Sequence, residues 1–541
     1  MAATVVDVGD GLPLTVPALL AERSAGRREH PLLVCDDDVL TYAEADRRSA
    51  ALAKGLLVAG LGAGSRVGLL HPNGSAFVVG WLAAARIGAI TLPLSTFSTA
   101  GELGDLLRRA DVALLLAGTA HRSRDHVEDL AGAAPGLDLS VPPPLLDPRT
   151  PALRRIVFDE PVEGADPGWS REQLVEGGRA VPDDVLAAVG ASVTAADRMA
   201  IVHTSGSTSA PKGVIHQHGP LIRHIDNLNE LRRHTQDEVL FSNSPFFWIG
   251  GFAYSLLGTL LAGATLVCSN ATDASATLDL LERTRPTMVN GFAASVAHLA
   301  RHPSFAERDL SSIRRGNLWP IMPAEARAAD PELRHNMLGM TEAGSVCLAS
   351  DDEGDQPERR RGSFGRPVPG FEARIVDLDS LEDQPQGVVG ELWLRGPFLM
   401  EGYDGRTRDE TFTADGWYRT GDLFHVDEEG CFHFTARAGD MIKTAGANVS
   451  PREVEAAIAD ATGLVAHVLG VPDPDRGQAV VAAVRVPEGR TPPDEEELRL
   501  ALRERLSAYK VPTQVLFLAD DEVPMMSSGK LDAPALREWF S

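Results

Sequence analysis

Lysine is the rarest charged residue in this chain of 541 residues. Of 51 basic residues, only Lys54, Lys212, Lys443, Lys510 and Lys530 are lysine, and the rest are arginine. An ammonium is a compact point charge and a guanidinium a planar fork, so the two are not interchangeable beside a phosphate or a reacting oxygen. Three of the lysines stand beside glycine or turn residues, in Pro211-Lys212-Gly213, Ile442-Lys443-Thr444 and Gly529-Lys530-Leu531. Chance explains one such placement easily and three poorly. Positive charge is also short overall. A net charge of −25 argues against a nucleic-acid partner and an anionic membrane surface, so any anionic ligand must be held by local positive features. Cysteine is sparse and scattered, at Cys35, Cys268, Cys347 and Cys431. That spacing fits reduced thiols rather than a disulfide framework or a zinc site. The first residues lack a basic region followed by an apolar core, so no signal peptide is expected and the expected location is cytoplasmic. The uncharged stretch 239–272 is long enough to test for a membrane span. It is broken by Pro245, Gly250, Gly251, Gly258 and Gly263, and reads as a strand, a glycine turn, a buried helix and another strand.

The chain is too long for one compact core, so two or more domains are expected. Residues 67–75 read as a strand entering a loop, 76–88 as an apolar helix ending at Gly88, and 89–94 as a strand. This alternation predicts an α/β fold, a large N-terminal domain of layered sheets and helices with largely parallel strands. Residues 134–169 read as a long loop or insertion, and 351–362 as an exposed charged connector. Composition changes near Ala436-Arg437-Ala438-Gly439-Asp440. The expected division is therefore a domain of residues 1–436 and a small mobile α+β domain of residues 437–541, joined by a glycine-containing hinge. In the second unit, Ser450-Pro451-Arg452-Glu453 reads as a capping box, 478–486 as a strand and 495–508 as a helix.

Residues 204–213 read Thr-Ser-Gly-Ser-Thr-Ser-Ala-Pro-Lys-Gly, after the apolar run Met199–Val202. Small hydroxyl and glycine residues cannot pack a core, but they can curl backbone N–H groups and hydroxyls around an anion. Lys212 adds a positive charge. The spacing is not that of the common Gly-x-x-x-x-Gly-Lys-Ser/Thr loop. Asn336-Met-Leu-Gly-Met-Thr341-Glu342 places a hydroxyl beside a carboxylate, suited to phosphate and Mg²⁺ oxygen chemistry. Asp415-Gly-Trp-Tyr-Arg-Thr-Gly-Asp422 ends in a carboxylate suited to a ribose diol. Arg437 and Lys443 mark the junction, and Ser528-Gly529-Lys530 reads as a loop near the C-terminus. Each alone is as well explained by a turn with a solvated charge.

Together and in this order, from Leu40-Thr-Tyr-Ala-Glu44 to Lys530, these motifs resemble the acyl-adenylate-forming superfamily of acyl-CoA synthetases, firefly luciferase and peptide-synthetase adenylation domains. The resemblance implies two steps: a carboxylate and MgATP give acyl-AMP and pyrophosphate, and then a thiol, usually CoA, displaces AMP. It implies that Thr204, Ser205, Gly206, Ser207, Thr208 and Lys212 hold the β- and γ-phosphates. Thr341 would contact the α-phosphate and Glu342 would ligate Mg²⁺, with Gly339 and Met340 at the nucleotide. Asp422 would bind the ribose hydroxyls, with Arg437 close by. Lys530 would bridge the substrate carboxylate and the α-phosphate. After adenylation the small domain would swing about Gly439, replacing Lys530 by the face that carries Lys443.

Several positions depart from the family pattern. Ser209 replaces a loop glycine, Leu338 an aromatic expected against adenine, and Gly316-Asn317-Leu-Trp319-Pro a Gly-Gly-Ala run. Gly439 stands where lysine or aspartate is usual, and Trp248 where many relatives carry a histidine that gates the acid pocket. The expected acid pocket comprises Trp248, Ile249, Gly250, Gly251, Asn317, Trp319 and Leu338 to Gly344. The absence of any acid in 242–255 argues against an amino-acid substrate. The leading expectation is an acyl-CoA synthetase for a bulky hydrophobic acid, using ATP, Mg²⁺ and CoA, with no nucleic-acid partner and a homodimer left open. The alternatives are a stand-alone adenylating enzyme serving a carrier protein or another acceptor, and a non-catalytic nucleotide-binding relative.

Overall fold

The computed structural model describes residues 11–204, 211–438, 441–444, 447–473, 477–503, 505–506, 510–526 and 530–540. The expected α/β organisation is present. Two large sheets dominate the N-terminal part. The first has six strands, in the spatial order Arg315–Gly316, Met288–Asn290, Val239–Ser242, Thr265–Cys268, Pro31–Cys35 and Asp38–Thr41, parallel except at the last pair. The second has seven strands. Its parallel part runs through Arg198–Thr204, Ile90–Pro93, Arg66–Leu70, Leu114–Ala117 and Arg155–Phe158. Lys212–Gln217 pairs antiparallel with Arg198–Thr204, and Gly402–Tyr403 closes that edge.

The central strands, such as Ile90–Pro93, Leu114–Ala117 and Thr265–Cys268, are buried along their whole length because both faces are covered. Leu114, Leu116 and Val157 point into the main core, while Leu115, Ala117, Ile156 and Phe158 point into a second one. The helix Ser75–Arg86 belongs to the main core and is buried along nearly its whole length. Its Phe77 and Trp81 meet Phe252 edge-on. The stretch 239–272 resolves as read from its composition: strand Val239–Ser242, helix Gly250–Leu257 continued by Gly258–Ala262, and strand Thr265–Cys268. The segment Gly250–Leu257 is wound as a π-helix, a form that often marks a functional position.

Smaller antiparallel sheets follow. One comprises Leu338–Met340, Ser345–Ala349 and Arg366–Pro367; the other comprises Glu372–Val376, Gly390–Arg395, Tyr418–Val426 and Phe432–Arg437. The C-terminal unit has its own five-stranded sheet and a separate core built on Val454, Ile458, Val480, Val484 and Leu502.

Three local expectations change. Residues 134–169 are not all loop: Arg155–Phe158 adds an edge strand beside Leu114–Ala117, because its apolar side chains complete the second core. The helix Pro451–Thr462 starts after Ser450 but lacks the side-chain cap. The Ser450 hydroxyl instead donates to the Thr435 carbonyl at 3.2 Å, a tertiary partner that outcompetes the local one. The helix expected over 495–508 is described as Glu495–Arg503.

Candidate active site

The loop that drew attention in the sequence joins two paired strands. Thr204 ends one and Lys212 begins the other, and the two are register partners. Ser205, Gly206, Ser207, Thr208 and Ser209 lie outside the described residues. Lys212 Nζ sits 5.1 Å from the ring centroid of Tyr403, on the neighbouring edge strand. A cation over a ring face is held without an anion that would compete with a ligand phosphate.

Tyr403 connects this lysine to Glu342. Its hydroxyl donates to Glu342 Oε1 at 2.7 Å and lies 3.0 Å from the Tyr418 hydroxyl. Burial and then the Glu342 charge raise the pKa of both phenols, so they remain protonated donors. Thr341 and Glu342 form one 3-10 turn after the strand Leu338–Met340, ended by Gly344 in the left-handed region at φ 72°. The turn is clamped at both carbonyls. The buried His216 Nε2 donates to the Thr341 carbonyl at 2.8 Å, and Met400 N–H donates to that of Glu342 at 2.8 Å. A carbonyl only accepts, which fixes the tautomer of His216. Gly339 precedes the turn in the strand, where a Cβ would lie 3.3 Å from the Ser345 carbonyl oxygen, and Met340 packs partly on the main core.

Asp422 and Arg437 are register partners on adjacent strands. Arg437 Nε lies 2.7 Å from Asp422 Oδ1; the carboxylate is buried and the guanidinium exposed. Lys530, from the C-terminal unit, joins this pair electrostatically. Desolvation and then the Arg437 charge push its pKa down, although the residue is exposed overall. Thus Asp422, Arg437 and Lys530 share one field despite wide separation in sequence. Lys443 lies in the strand Ile442–Thr444, but its side chain, like Gly439, is outside the described residues.

The expected acid pocket splits in two. Trp248 stands in an aromatic wall, edge-on to Phe97, Phe247 and Phe292 with centroids 6.5, 5.5 and 5.5 Å away. Ile249 and Leu338 pack partly on the main core. Gly250 faces open space, whereas a Cβ at Gly251 would sit 2.0 Å from the Pro245 carbonyl oxygen. Gly251 is therefore required by close backbone approach and leaves no room for a ligand. Asn317 and Trp319 line a different feature, a cavity of 170 Å³ under the first sheet. Asn317 bridges to Gly291 through both ends of its amide, accepting from N–H at 3.0 Å and donating to the carbonyl at 2.9 Å. Leu228, Leu240, Tyr254 and Met288 supply apolar walls, and Arg232 also lines the cavity.

Tyr403, Tyr418, His216, Tyr254 and Arg232 were missed by reading motifs. A signal for some of them existed. The chain has five tyrosines, and three of them stand here. Scarcity had singled out lysine, and it applies to tyrosine as well.

Two α/β sheets, a lysine at a strand hairpin, a Thr-Glu turn and a buried aspartate with an arginine define a class: enzymes that activate a carboxylate as its adenylate. The profile of the AMP-binding enzyme family matches residues 20–404, and that of the AMP-binding enzyme C-terminal domain matches 453–530. The chain belongs to this family. It is 34% identical over 508 residues to a feruloyl-CoA synthase of Amycolatopsis sp, covering 93% of this chain and 94% of that one. It is 33% identical over 536 residues to the 3-[(3aS,4S,7aS)-7a-methyl-1,5-dioxo-octahydro-1H-inden-4-yl]propanoyl:CoA ligase of Mycobacterium tuberculosis, covering 97% and 98%. In fold it resembles an anthranilate CoA ligase solved with anthranoyl-AMP, with a TM-score of 0.78, 23% identity and 98% of each chain covered. The activity is that of an AMP-forming acid–thiol ligase, an adenylate-forming CoA ligase. No helix among the described residues is long and apolar enough to cross a membrane.

Proposed function

We propose that this ligase activates a bulky, ring-bearing hydrophobic acid and passes its acyl group to CoA. The observation that carries the substrate class is the 170 Å³ cavity beside Asn317, walled by Leu228, Leu240, Tyr254 and Met288. A dry cavity of about 150 Å³ accepts benzene, so this one suits a single ring with a small substituent. The names of the two relatives support the class, since both acids carry rings.

The residue roles are part of the proposal. Thr204 to Thr208 and Lys212 hold the β- and γ-phosphates, Thr341 the α-phosphate, and Asp422 with Arg437 the ribose. Glu342 and the Thr341 hydroxyl offer hard oxygen donors, and no cluster of three His, Cys, Asp or Glu suited to a metal occurs among the described residues. That pattern fits Mg²⁺, which keeps waters and substrate phosphates in its shell rather than a protein cage. Bound there, it would neutralise phosphate charge.

In the first step a carboxylate oxygen attacks the α-phosphorus and the bond to pyrophosphate breaks. Two anions must meet, so catalysis lies in positioning and charge neutralisation. The Lys530 ammonium serves this, and the neighbouring Asp422 carboxylate offsets the Arg437 charge that disfavours it. In the second step the thiol sulfur attacks the acyl carbon, AMP leaves with the bonding pair, and the thiol proton passes to solvent. We assign this step to the Lys443 face after a swing at Gly439, with domains of residues 1–436 and 437–541. We place the enzyme in the cytoplasm, a reading supported by four free buried cysteines.

Pyrophosphate exchange over a panel of acids, followed by product analysis with and without CoA, tests the proposal. Fastest turnover with ring-bearing acids and a CoA thioester product are expected. Preference for acetate or amino acids would overturn the substrate class.

A further inference from the structure

One carboxylate behind the nucleotide side is buried and lies outside the motifs read from the sequence. The strand Gly390–Arg395 sends Leu392 and Leu394 into the main core and places Glu391 and Trp393 on its other face. Glu391 is only 4% exposed. A carboxylate is costly to bury unless hydrogen bonds replace its water. Here donors surround it. The Trp393 indole N–H donates to Oε2 at 2.9 Å, Arg419 Nε donates to the same oxygen at 3.0 Å, and the Gly421 N–H donates to Oε1 at 3.0 Å. Trp393 packs with Val376 and Trp417, and the Arg374 guanidinium lies 4.7 Å from its ring centroid. The indole that holds Oε2 is therefore itself fixed.

The bond to Gly421 reaches the site. Glu391 pairs with Leu423 and Trp393 with Arg419, so Thr420, Gly421 and Asp422 stand opposite Leu392 alone. Such a bulge re-aims side chains and takes backbone groups out of the ladder. Gly421 turns it through the left-handed region at φ 72°. Hydrogen bonds tie it down. The Thr420 hydroxyl donates to the Leu392 carbonyl at 2.7 Å and accepts from the Asp422 N–H at 3.0 Å. The Gly421 carbonyl accepts from the Ala438 N–H at 2.8 Å, and the Gly421 N–H has Glu391. Of these ties only the one to Glu391 has a charged acceptor, which makes it the strongest. The next residue, Asp422, carries the carboxylate that meets Arg437.

We propose that Glu391 is a positioning residue for the nucleotide: by holding the Gly421 peptide it sets the Asp422 carboxylate at the ribose hydroxyls. It acts through Asp422 and is not itself a catalytic residue. This rests on reading Asp422 as the ribose residue. Glutamine fits the same space but cannot take over the task. The Trp393, Arg419 and Gly421 groups that face Glu391 are all donors, so in either orientation the amide nitrogen of a glutamine meets an N–H and a tie is lost.

The test uses the full chain with Mg²⁺ and no acid, and measures Kd for ATP and for 2′-deoxy-ATP by calorimetry. The missing hydroxyl reports the ribose contact alone. The wild type is expected to prefer ATP by about tenfold or more, as for a hydrogen bond to a charged group. Asp422→Ala should abolish the preference. Glu391→Gln should reduce it to about threefold and Glu391→Ala to about twofold, through weaker binding of ATP with little change for 2′-deoxy-ATP. A wild type without the preference, or Asp422→Ala that keeps it, removes the ribose reading and the inference with it. If Asp422→Ala loses the preference while Glu391→Gln keeps it in full, the inference fails and the ribose reading stands. The same holds if Glu391→Gln weakens both nucleotides equally, since Glu391 then only supports the fold. Glu391→Gln keeps the shape of the side chain, so it decides the matter even if Glu391→Ala fails to fold.

Discussion

The nucleotide side of the site and the cavity side handle charge differently. On the nucleotide side each charge meets a complement: Lys212 lies over Tyr403, Glu342 takes the Tyr403 hydroxyl, and Asp422 takes Arg437. On the cavity side Arg232 is seated by carbonyls and a ring. The first arrangement is pre-organised for a ligand whose charges are always the same. The second mixes apolar walls with charged side chains of both signs, Arg334, Asp351, Asp352 and Glu353 among them, and it is such a mix of shape and a few polar groups that lets a pocket select among similar acids.

The largest effect expected is at Lys530. Lys530→Ala should lower the acyl-AMP rate by about a hundredfold or more, the scale for losing one group that stabilises transition-state charge. Lys530→Arg should rescue poorly. Near-normal pyrophosphate release by Lys530→Ala would break the nucleotide half of the comparison.

Next in size is a pH effect behind that half. Burial depresses His218 to about 4 and His224 to about 3. Both are neutral in the native state, while the unfolded chain binds protons near 6.5. Their contribution is complete above that value and is lost as pH falls from 6.5 toward 3. Together they amount to several kcal/mol at most, at about 1.4 kcal/mol per pKa unit. The thermal midpoint should be flat above pH 7 and fall below 6.5, with a shallower fall in His224→Gln. An unchanged slope in that variant counts against the assignment.

Gly250 and Gly251 test the aromatic-wall part of the expected acid pocket, apart from the cavity. Gly251→Ala should destabilise the fold by about 1–3 kcal/mol, because its Cβ would overlap the Pro245 carbonyl, and Gly250→Ala should be nearly neutral. Denaturant melts of the two variants measure this, and equal losses would contradict it.

The smallest effect separates the two functions of Tyr403. Tyr403→Phe keeps the ring under Lys212 and removes the bond to Glu342. Adenylation should fall about fivefold, with a higher Mg²⁺ requirement and an unchanged KM for the acid, as for one hydrogen bond of about 1 kcal/mol. A change in acid KM instead would blur the division between the two sides.

Much of this molecule was legible in its residues. The strand–helix–strand alternation over residues 67–94 was enough to argue the α/β class, and Arg66–Leu70, Ser75–Arg86 and Ile90–Pro93 bear it out. The rare lysines and the Thr341-Glu342 and Asp422 motifs marked the nucleotide side, because binding phosphate and ribose needs particular residue types at local spacing. The edge strand Arg155–Phe158 stayed hidden in a Pro-rich stretch, since its pairing with Leu114–Ala117 crosses about forty residues. Ser450 looked like a cap until Thr435 offered a better partner. The cavity was illegible for the same reason. Apart from Asn317 and Trp319, its lining residues, Arg232, Tyr254, Met288 and Met337 among them, carry no motif, and the chain between them spans more than a hundred residues. Local chemistry is written in neighbouring letters. A pocket is the space left when distant elements pack, and only the tertiary structure decides which side chains line it.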